Sequence, residues 1–372
     1  MLLLPALKTP TRPVRSAAVA VVGSLALYVT QAVLWPGERW YLYDLEIYRL
    51  GGRALLDGTS LYTARFNGQP FTNTPFGALL FAGFALVPMD VARLLMTALT
   101  LAALGVSAWC AARLTGRALP VAAGAAALGL WLEPVQASLT YGQVNVVLMA
   151  LVLLDFARPG RFQGVGIGLA AAVKLTPGLF VVYLLVTRRF RAAAVAAGTT
   201  AATVAVGFAV APTESAQYWG GVFLKSSRIG GDVFYLGNQS LHAFLGRAGE
   251  DVLWLPAAVL VVVVGTRVAL RLHRAGDELG GVLVCALTAL LVSPISWHHH
   301  WVWCAPLLVR LWPKVALVVV PLLAWPLPGA ADFPLPRGLL WIGGPFADLY
   351  TWLGVLALGL AWWTSDPARR RG

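Results

Sequence analysis

Charge is what this sequence has least of: 12% of its 372 residues are charged and 59% are hydrophobic. A soluble globular chain carries about 25% charged residues, so a water-soluble enzyme is excluded. Acids are scarcer still, 16 Asp and Glu against 28 Lys and Arg, for a net charge of +12. No run of carboxylates crosses an apolar segment, which argues against a proton or cation relay. Cysteine is limited to Cys110, Cys285 and Cys304, in or beside apolar runs and without metal-ligand spacing, as packing residues would be. A glycine-rich nucleotide loop, an internal repeat and a low-complexity linker are also lacking.

What is present is apolar length. A hydrocarbon core of about 30 Å, crossed at about 1.5 Å per residue, needs about 20 apolar residues. Apolar segments lie near 16–35, 75–88, 91–112, 118–133, 145–157, 163–187, 192–211, 252–271, 279–293, 301–311, 314–328 and 346–363. They predict an all-α, polytopic integral membrane protein of about 12 transmembrane helices, one domain over residues 1–372. The N-terminal run has no small-residue cleavage site and reads as a retained first helix.

Basic residues imply a nucleic-acid partner only when gathered on one face or arm. Here they form short clusters between apolar runs: Lys8, Arg12 and Arg15; Arg188, Arg189 and Arg191; Arg267, Arg271 and Arg274; Arg310 and Lys314; Arg369, Arg370 and Arg371. That pattern predicts a plasma-membrane protein with both termini cytoplasmic and no nucleic-acid partner. The outer face then holds the stretches 36–74, 212–251 and 329–345 and the turn Ser293–His300. One crossing per segment leaves Arg113 and Arg117 outside. If 163–187 is instead two half-helices meeting at Lys174–Pro177, the sidedness of 36–162 reverses unless another short segment is re-entrant.

In the first outer stretch, apolar or aromatic residues at 41, 45, 48, 55 and 56 alternate with charged ones, the pattern of a short interfacial helix. Asp44 and Tyr48, four apart, share its face, with Glu46 between them. Asp44 could carry chemistry or merely cap and solvate the helix. Tyr141-Gly142-Gln143-Val144-Asn145 interrupts two apolar runs, and its amides could bind a sugar or join helices. Lys174 lies within an apolar stretch, where an ammonium costs about 2.5–3.5 kcal/mol on insertion scales, so an anion or a wet cavity is expected beside it. The second outer stretch supplies Lys225, Arg228, Asn238, Gln239, Ser240 and His242, and the turn supplies His298, His299 and His300. Adjacent histidines point about 100° apart on a helix and cannot all grip one metal.

In order along the chain, Asp44-Leu45-Glu46-Ile47-Tyr48 with Gly58 and Leu61-Tyr62, Thr74-Pro75, Gly142-Gln143-Val144-Asn145, Lys174 with Pro177, Asn238-Gln239-Ser240, and Ser293-Pro294 with Trp297-His298-His299 resemble glycosyltransferase family 87, of the GT-C class. These fragments span residues 44–300. The resemblance implies a GT-C fold, a polyprenyl-phosphate sugar donor, a glycolipid or glycan acceptor among membrane lipids, and a catalytic aspartate that maps onto Asp44. Asn73 precedes Thr74-Pro75 where many relatives have an aromatic and a double proline.

A lipid phosphate leaves as a stabilised anion, so one carboxylate suffices where glycosidases need two. Asp44 would take the acceptor's proton, with Lys174, Arg228, His298 and His299 around the phosphate. Glu46, Tyr48, Gln143, Asn145, Asn238 and Gln239 would contact sugar or acceptor. The scheme requires no cofactor and no metal. Inverting α-mannosyl transfer is the leading expectation. Arabinofuranosyl transfer from the corresponding lipid donor, or a transporter or flippase, are the alternatives.

Overall fold

Helix boundaries follow the punctuation of the sequence. In the computed structural model, which describes residues 12–225, 228, 232–313, 316 and 348–365, proline opens five of the described α-helices, where its missing N–H has no intrahelical partner to lose. Thr74, Ser240 and Asp277 cap three helices, the first of them also opened by proline, by accepting backbone N–H bonds from Gly77, Ala243 and Gly280. The candidate span 314–328, the outer stretch 329–345 and the clusters at Lys8 and Arg369–Arg371 lie outside the described residues.

The chain is overwhelmingly helical. It begins α1 (Arg12–Leu34), α2 (Pro36–Arg39) and α3 (Tyr43–Leu56), followed by a hairpin of β1 (Arg65–Phe66) and β2 (Gln69–Pro70). Next come α4 (Pro75–Ala85), α5 (Met89–Leu114), α6 (Leu119–Gly129), α7 (Glu133–Tyr141), α8 (Asn145–Ala157), α9 (Val165–Val173) and α10 (Leu179–Val186). The remainder is α11 (Phe190–Val210), α12 (Pro212–Trp219), α13 (Leu241–Arg247), α14 (Trp254–Arg274), α15 (Glu278–Val292), α16 (Cys304–Leu311) and α17 (Leu349–Thr364). Among the described residues, four helices, α1, α5, α11 and α14, are long and apolar enough to span a bilayer. The bent pair α7 and α8, at 119°, could form a fifth span. This is a polytopic membrane protein.

The bundle has two chemically distinct ends. At one, Arg113 Nε donates to Ala157 O at 2.9 Å, and the guanidinium groups of Arg113 and Arg158 lie over Trp109. There too Arg189 pairs with Glu278, and Arg310 with Asp277. At the other end, Arg49 of α3 donates to the carbonyls of Phe84 and Val87, next to the start of α5. Helix α5 therefore runs from the second end to the first, and α8 does the same from Asn145 to Ala157.

Helix α9 starts at Gly164 against Ala192 of α11 and ends at Lys174, and α10 returns from there to Arg188 and Arg189. Segment 163–187 is thus two half-length helices, not one crossing. Helix α4 does not travel between the ends. Its Thr74 Oγ1 bonds Ala172 O beside Lys174, and its body packs closely on α3, where a Cβ on Gly52 would meet Ala82 N at 2.5 Å. Arg113 and Arg117 then fall at the same end of the bundle as Arg188–Arg191, whereas one crossing per segment would separate them. The physical reason is local: Lys174-Leu175-Thr176-Pro177 breaks α9 with an extended residue (φ −133°, ψ 135°), and a proline follows it.

Small residues allow the close approach. Gly164 and Gly168, four apart on α9, face Ala192 and Ala196 of α11, and a Cβ at Gly168 would come 2.6 Å from Ala196 O. This seats the α9–α10 hairpin tightly and so fixes Lys174 at its tip.

Candidate active site

Asp44 lies in the first turn of α3, where the helix dipole favours a carboxylate. It does not cap the helix: the N-cap is Leu42, a buried residue held at φ 50°. A left-handed leucine is an uncommon, strained conformation, and it turns the chain so that the first turn of α3 meets the α7–α8 junction. At that junction Gly142 also has positive φ (72°), and a Cβ there would lie 2.7 Å from Leu45 Cβ and 3.1 Å from Leu42 Cβ. Only glycine lets Gln143 come this close to Asp44.

The result is one connected network. Gln143 Nε2 donates to Asp44 Oδ2 at 2.7 Å, and Gln143 Oε1 accepts from Tyr48 Oη at 2.8 Å and from Lys174 Nζ at 2.8 Å. Lys174 Nζ also donates to Asn145 Oδ1 at 3.0 Å, and Asn145 Nδ2 donates to His299 O at 2.9 Å. Tyr48 stacks on Phe81 of α4 at 4.3 Å. Burial raises the pKa of the Asp44 carboxyl above its ordinary value; the Gln143 hydrogen bond and the Lys174 charge oppose that rise. Five of the expected site residues, from three separated stretches of sequence, thus meet: Asp44, Tyr48, Gln143, Asn145 and Lys174.

Beyond Lys174 a cavity of about 60 Å³ opens, with Asn145, Lys174, Thr176 and His300 giving it a polar end and Leu148, Met149, Phe180, Leu290 and Trp303 an apolar wall. His299 sends its backbone carbonyl to the network while its ring is buried against Tyr141, with neither ring nitrogen hydrogen-bonded. His298 lies 3.5 Å through Nε2 from Glu133 Oε1, and burial lowers its pKa to about 4. Glu133 also accepts from Tyr350 Oη at 3.2 Å.

Other expected residues have different surroundings. Glu46 is two positions from Asp44, hence about 200° round the helix. Arg228 donates to Tyr62 O at 2.6 Å. Asn238 is fully buried; it donates to Val233 O and Pro294 O and accepts from Ser240 N and Ser296 N. Gln239 is equally buried, donating to Leu236 O and accepting from Tyr350 N. Together with the backbone bonds Gln239 N to Ser296 O and His298 N to Gly237 O, they clamp the second outer stretch to the histidine turn.

Sequence reasoning passed over Glu133 and His300. The first sits in a polar break, Trp131-Leu132-Glu133-Pro134, that could have drawn notice. The second is distinguished from its neighbours only by the fold.

A sequence profile of glycosyltransferase family 87 matches residues 71–294, a range that includes Gln143, Asn145 and Lys174 and begins after Asp44. The chain is 36% identical over 322 residues, 78% of its length and 72% of the relative's, to a Mycobacterium tuberculosis protein named polyprenol-phosphate-mannose-dependent alpha-(1-2)-phosphatidylinositol mannoside mannosyltransferase. The Mycolicibacterium smegmatis protein of that name is 37% identical, over 76% of this chain and 73% of its own. A second Mycobacterium tuberculosis relative, named as the corresponding phosphatidylinositol pentamannoside mannosyltransferase, is 32% identical over 90% of this chain and 85% of its own. The chain belongs to glycosyltransferase family 87 and is a glycosyltransferase.

Proposed function

With that family as the premise, we propose that the protein moves mannose from polyprenyl-phosphate mannose to a phosphatidylinositol mannoside or related lipid-linked glycan, inverting the anomeric centre. The donor and acceptor classes come from the names of its relatives. The observation that carries the mechanism is the pairing of Asp44 and Lys174 on opposite atoms of one Gln143 amide.

In this reading Asp44 accepts the proton of the acceptor hydroxyl as its oxygen attacks the anomeric carbon. The bond from that carbon to the phosphate oxygen breaks in line, and the electron pair leaves with the phosphate. Lys174 neutralises the charge that develops there, joined by His300 at the cavity. A β-mannosyl phosphate then gives an α-linkage. The apolar wall beyond Lys174 suits a lipid-borne leaving group.

The sidedness follows from charge. Arg113, Arg158, Arg189, Arg274 and Arg310 gather at one end of the bundle, with Asp155, Asp277 and Glu278 the described carboxylates near them. On the positive-inside rule that end would be the cytoplasmic one, which supports a reading with Asp44 toward the outer face.

The test is transfer from synthetic polyprenyl-phosphate mannose by Asp44→Asn. Turnover should fall by about 10²–10⁴-fold, the usual contribution of a positioned base, while the purified protein keeps its melting temperature. Near-normal turnover would remove Asp44 as the base.

A further inference from the structure

The Gln143 amide is the group through which both charged members of the network are connected. Its orientation is dictated by chemistry, since a carboxylate only accepts and an ammonium only donates. Nε2 therefore faces Asp44 Oδ2, and Oε1 faces Lys174 Nζ and Tyr48 Oη. Both lone pairs of Oε1 are used, which leaves this side chain little capacity to bind a sugar. With the amide absent, the group that bonds both Asp44 and Lys174 would be gone. Opposite charges so close, and partly shielded from water, attract strongly. A direct ion pair would occupy the base and the cation at once.

We infer that Gln143 is a positioning residue: a neutral spacer that holds the Asp44 carboxylate and the Lys174 ammonium apart at fixed separation, so that each keeps a free valence for its own substrate. The inference rests on the reading of Asp44 as base and Lys174 as the donor-phosphate cation. Among the described residues, Asp44 Oδ1 has no hydrogen bond and remains for the acceptor hydroxyl. Lys174 spends two N–H groups on Gln143 and Asn145 and keeps the third for a phosphate oxygen. The spacer is locked in place because Gly142 seats its turn on Leu42 and Leu45, the neighbours of Asp44 in sequence.

Few other titratable groups face Asp44. Tyr48 is on its own helix, Tyr141 reaches it from α7, and Lys174 comes from the break after α9 with His299 and His300 behind it. Helix α4, packed along α3, has no titratable residue. The Asp90–Arg93 pair of α5 meets this region at Tyr41 O instead.

The experiment is the pH profile of kcat/KM for polyprenyl-phosphate mannose, measured on full-length Gln143→Leu and Gln143→Glu beside Asp44→Asn. Gln143→Leu should lower kcat about a hundredfold, as a misplaced reacting group does. Its acidic limb should move down, because an ammonium in direct contact lowers the Asp44 pKa by more than the Gln143 hydrogen bond it replaces; an upward shift, the result of losing that hydrogen bond alone, overturns the spacer. Gln143→Glu should move the limb up, because a second carboxylate opposes ionisation of the first. Opposite shifts support the spacer; a limb that stays in place in both variants overturns it, whatever happens to kcat. Should Gln143→Leu fail to fold, the unbranched Gln143→Met takes its place, because Gln143→Glu alone would raise the limb whether or not the amide is a spacer. If Asp44→Asn retains turnover, the base assignment has failed; if it is inactive while both Gln143 profiles stay put, only the spacer has.

Discussion

At the basic end of the bundle Arg189 meets Glu278 at 2.5 Å and Arg310 meets Asp277 at 2.6 Å, whereas at the opposite end Asp44 and Lys174 are bonded to a shared amide and not to each other. Glu278 also accepts from Tyr183 Oη at 3.2 Å and lies 2.8 Å from His273 Nδ1, so its charge is consumed by neighbours on two helices and a loop. Direct pairing of this kind fastens helices. Pairing through an amide fixes position as well, but leaves one oxygen of the carboxylate and one N–H of the ammonium open. The same residue types thus serve as a fastener at one end and, in the proposed mechanism, as reagents at the other.

The sharpest way to break this comparison is Lys174→Met. If the lysine neutralises the leaving phosphate, kcat/KM should fall about 10²–10³-fold, the loss seen when one stabilising donor is removed; a fall in stability with normal turnover per folded molecule would make it a fastener too. Glu278→Gln probes the other end. It should destabilise the purified protein by about 1–3 kcal/mol, below the range for a fully buried pair because these side chains are about a fifth exposed, and leave KM for the donor within about twofold.

The pH profile sharpens the contrast further. A base works only when ionised, and burial raises the pKa of Asp44. Activity should therefore be present above that raised pKa and be lost as pH falls through it, at a pH higher than an exposed aspartate would give, and Asp44→Glu should move the limb. The smallest effect is expected at Glu46→Gln, which faces away from Asp44 and should change kcat/KM by no more than about twofold. A tenfold loss there would return Glu46 to the site.

Much of the site was legible because its residues were anomalies in their local sequence. Asp44 is one of 16 acids in a chain where each can be inspected, and Lys174 is a lysine in an apolar run. Gln143 and Asn145 interrupt another. Their roles were not legible, because hydrogen-bond partners 29 to 99 positions away are not encoded in spacing. Asn238 and Gln239 illustrate the limit: as a polar pair in an outer stretch they suit a sugar, and the fold gives most of their polar atoms to backbone partners. The choice among three histidines had the same obstacle, since a tight turn decides which ring meets Glu133 and which the cavity.

Composition by itself determined the solvent. A chain with 59% hydrophobic and 12% charged residues must bury its backbone in helices within a bilayer, and its basic clusters must mark one face. Tertiary structure alone decided which apolar segments traverse the bundle and which turn back, because that depends on how α4 packs along α3 and on the hairpin tip at Lys174. It also decided that Asp44 and Lys174 share an amide. Hydropathy is a property of each residue and can be read in order along the chain, but the separation of two charges is a property of the packing that brings them together.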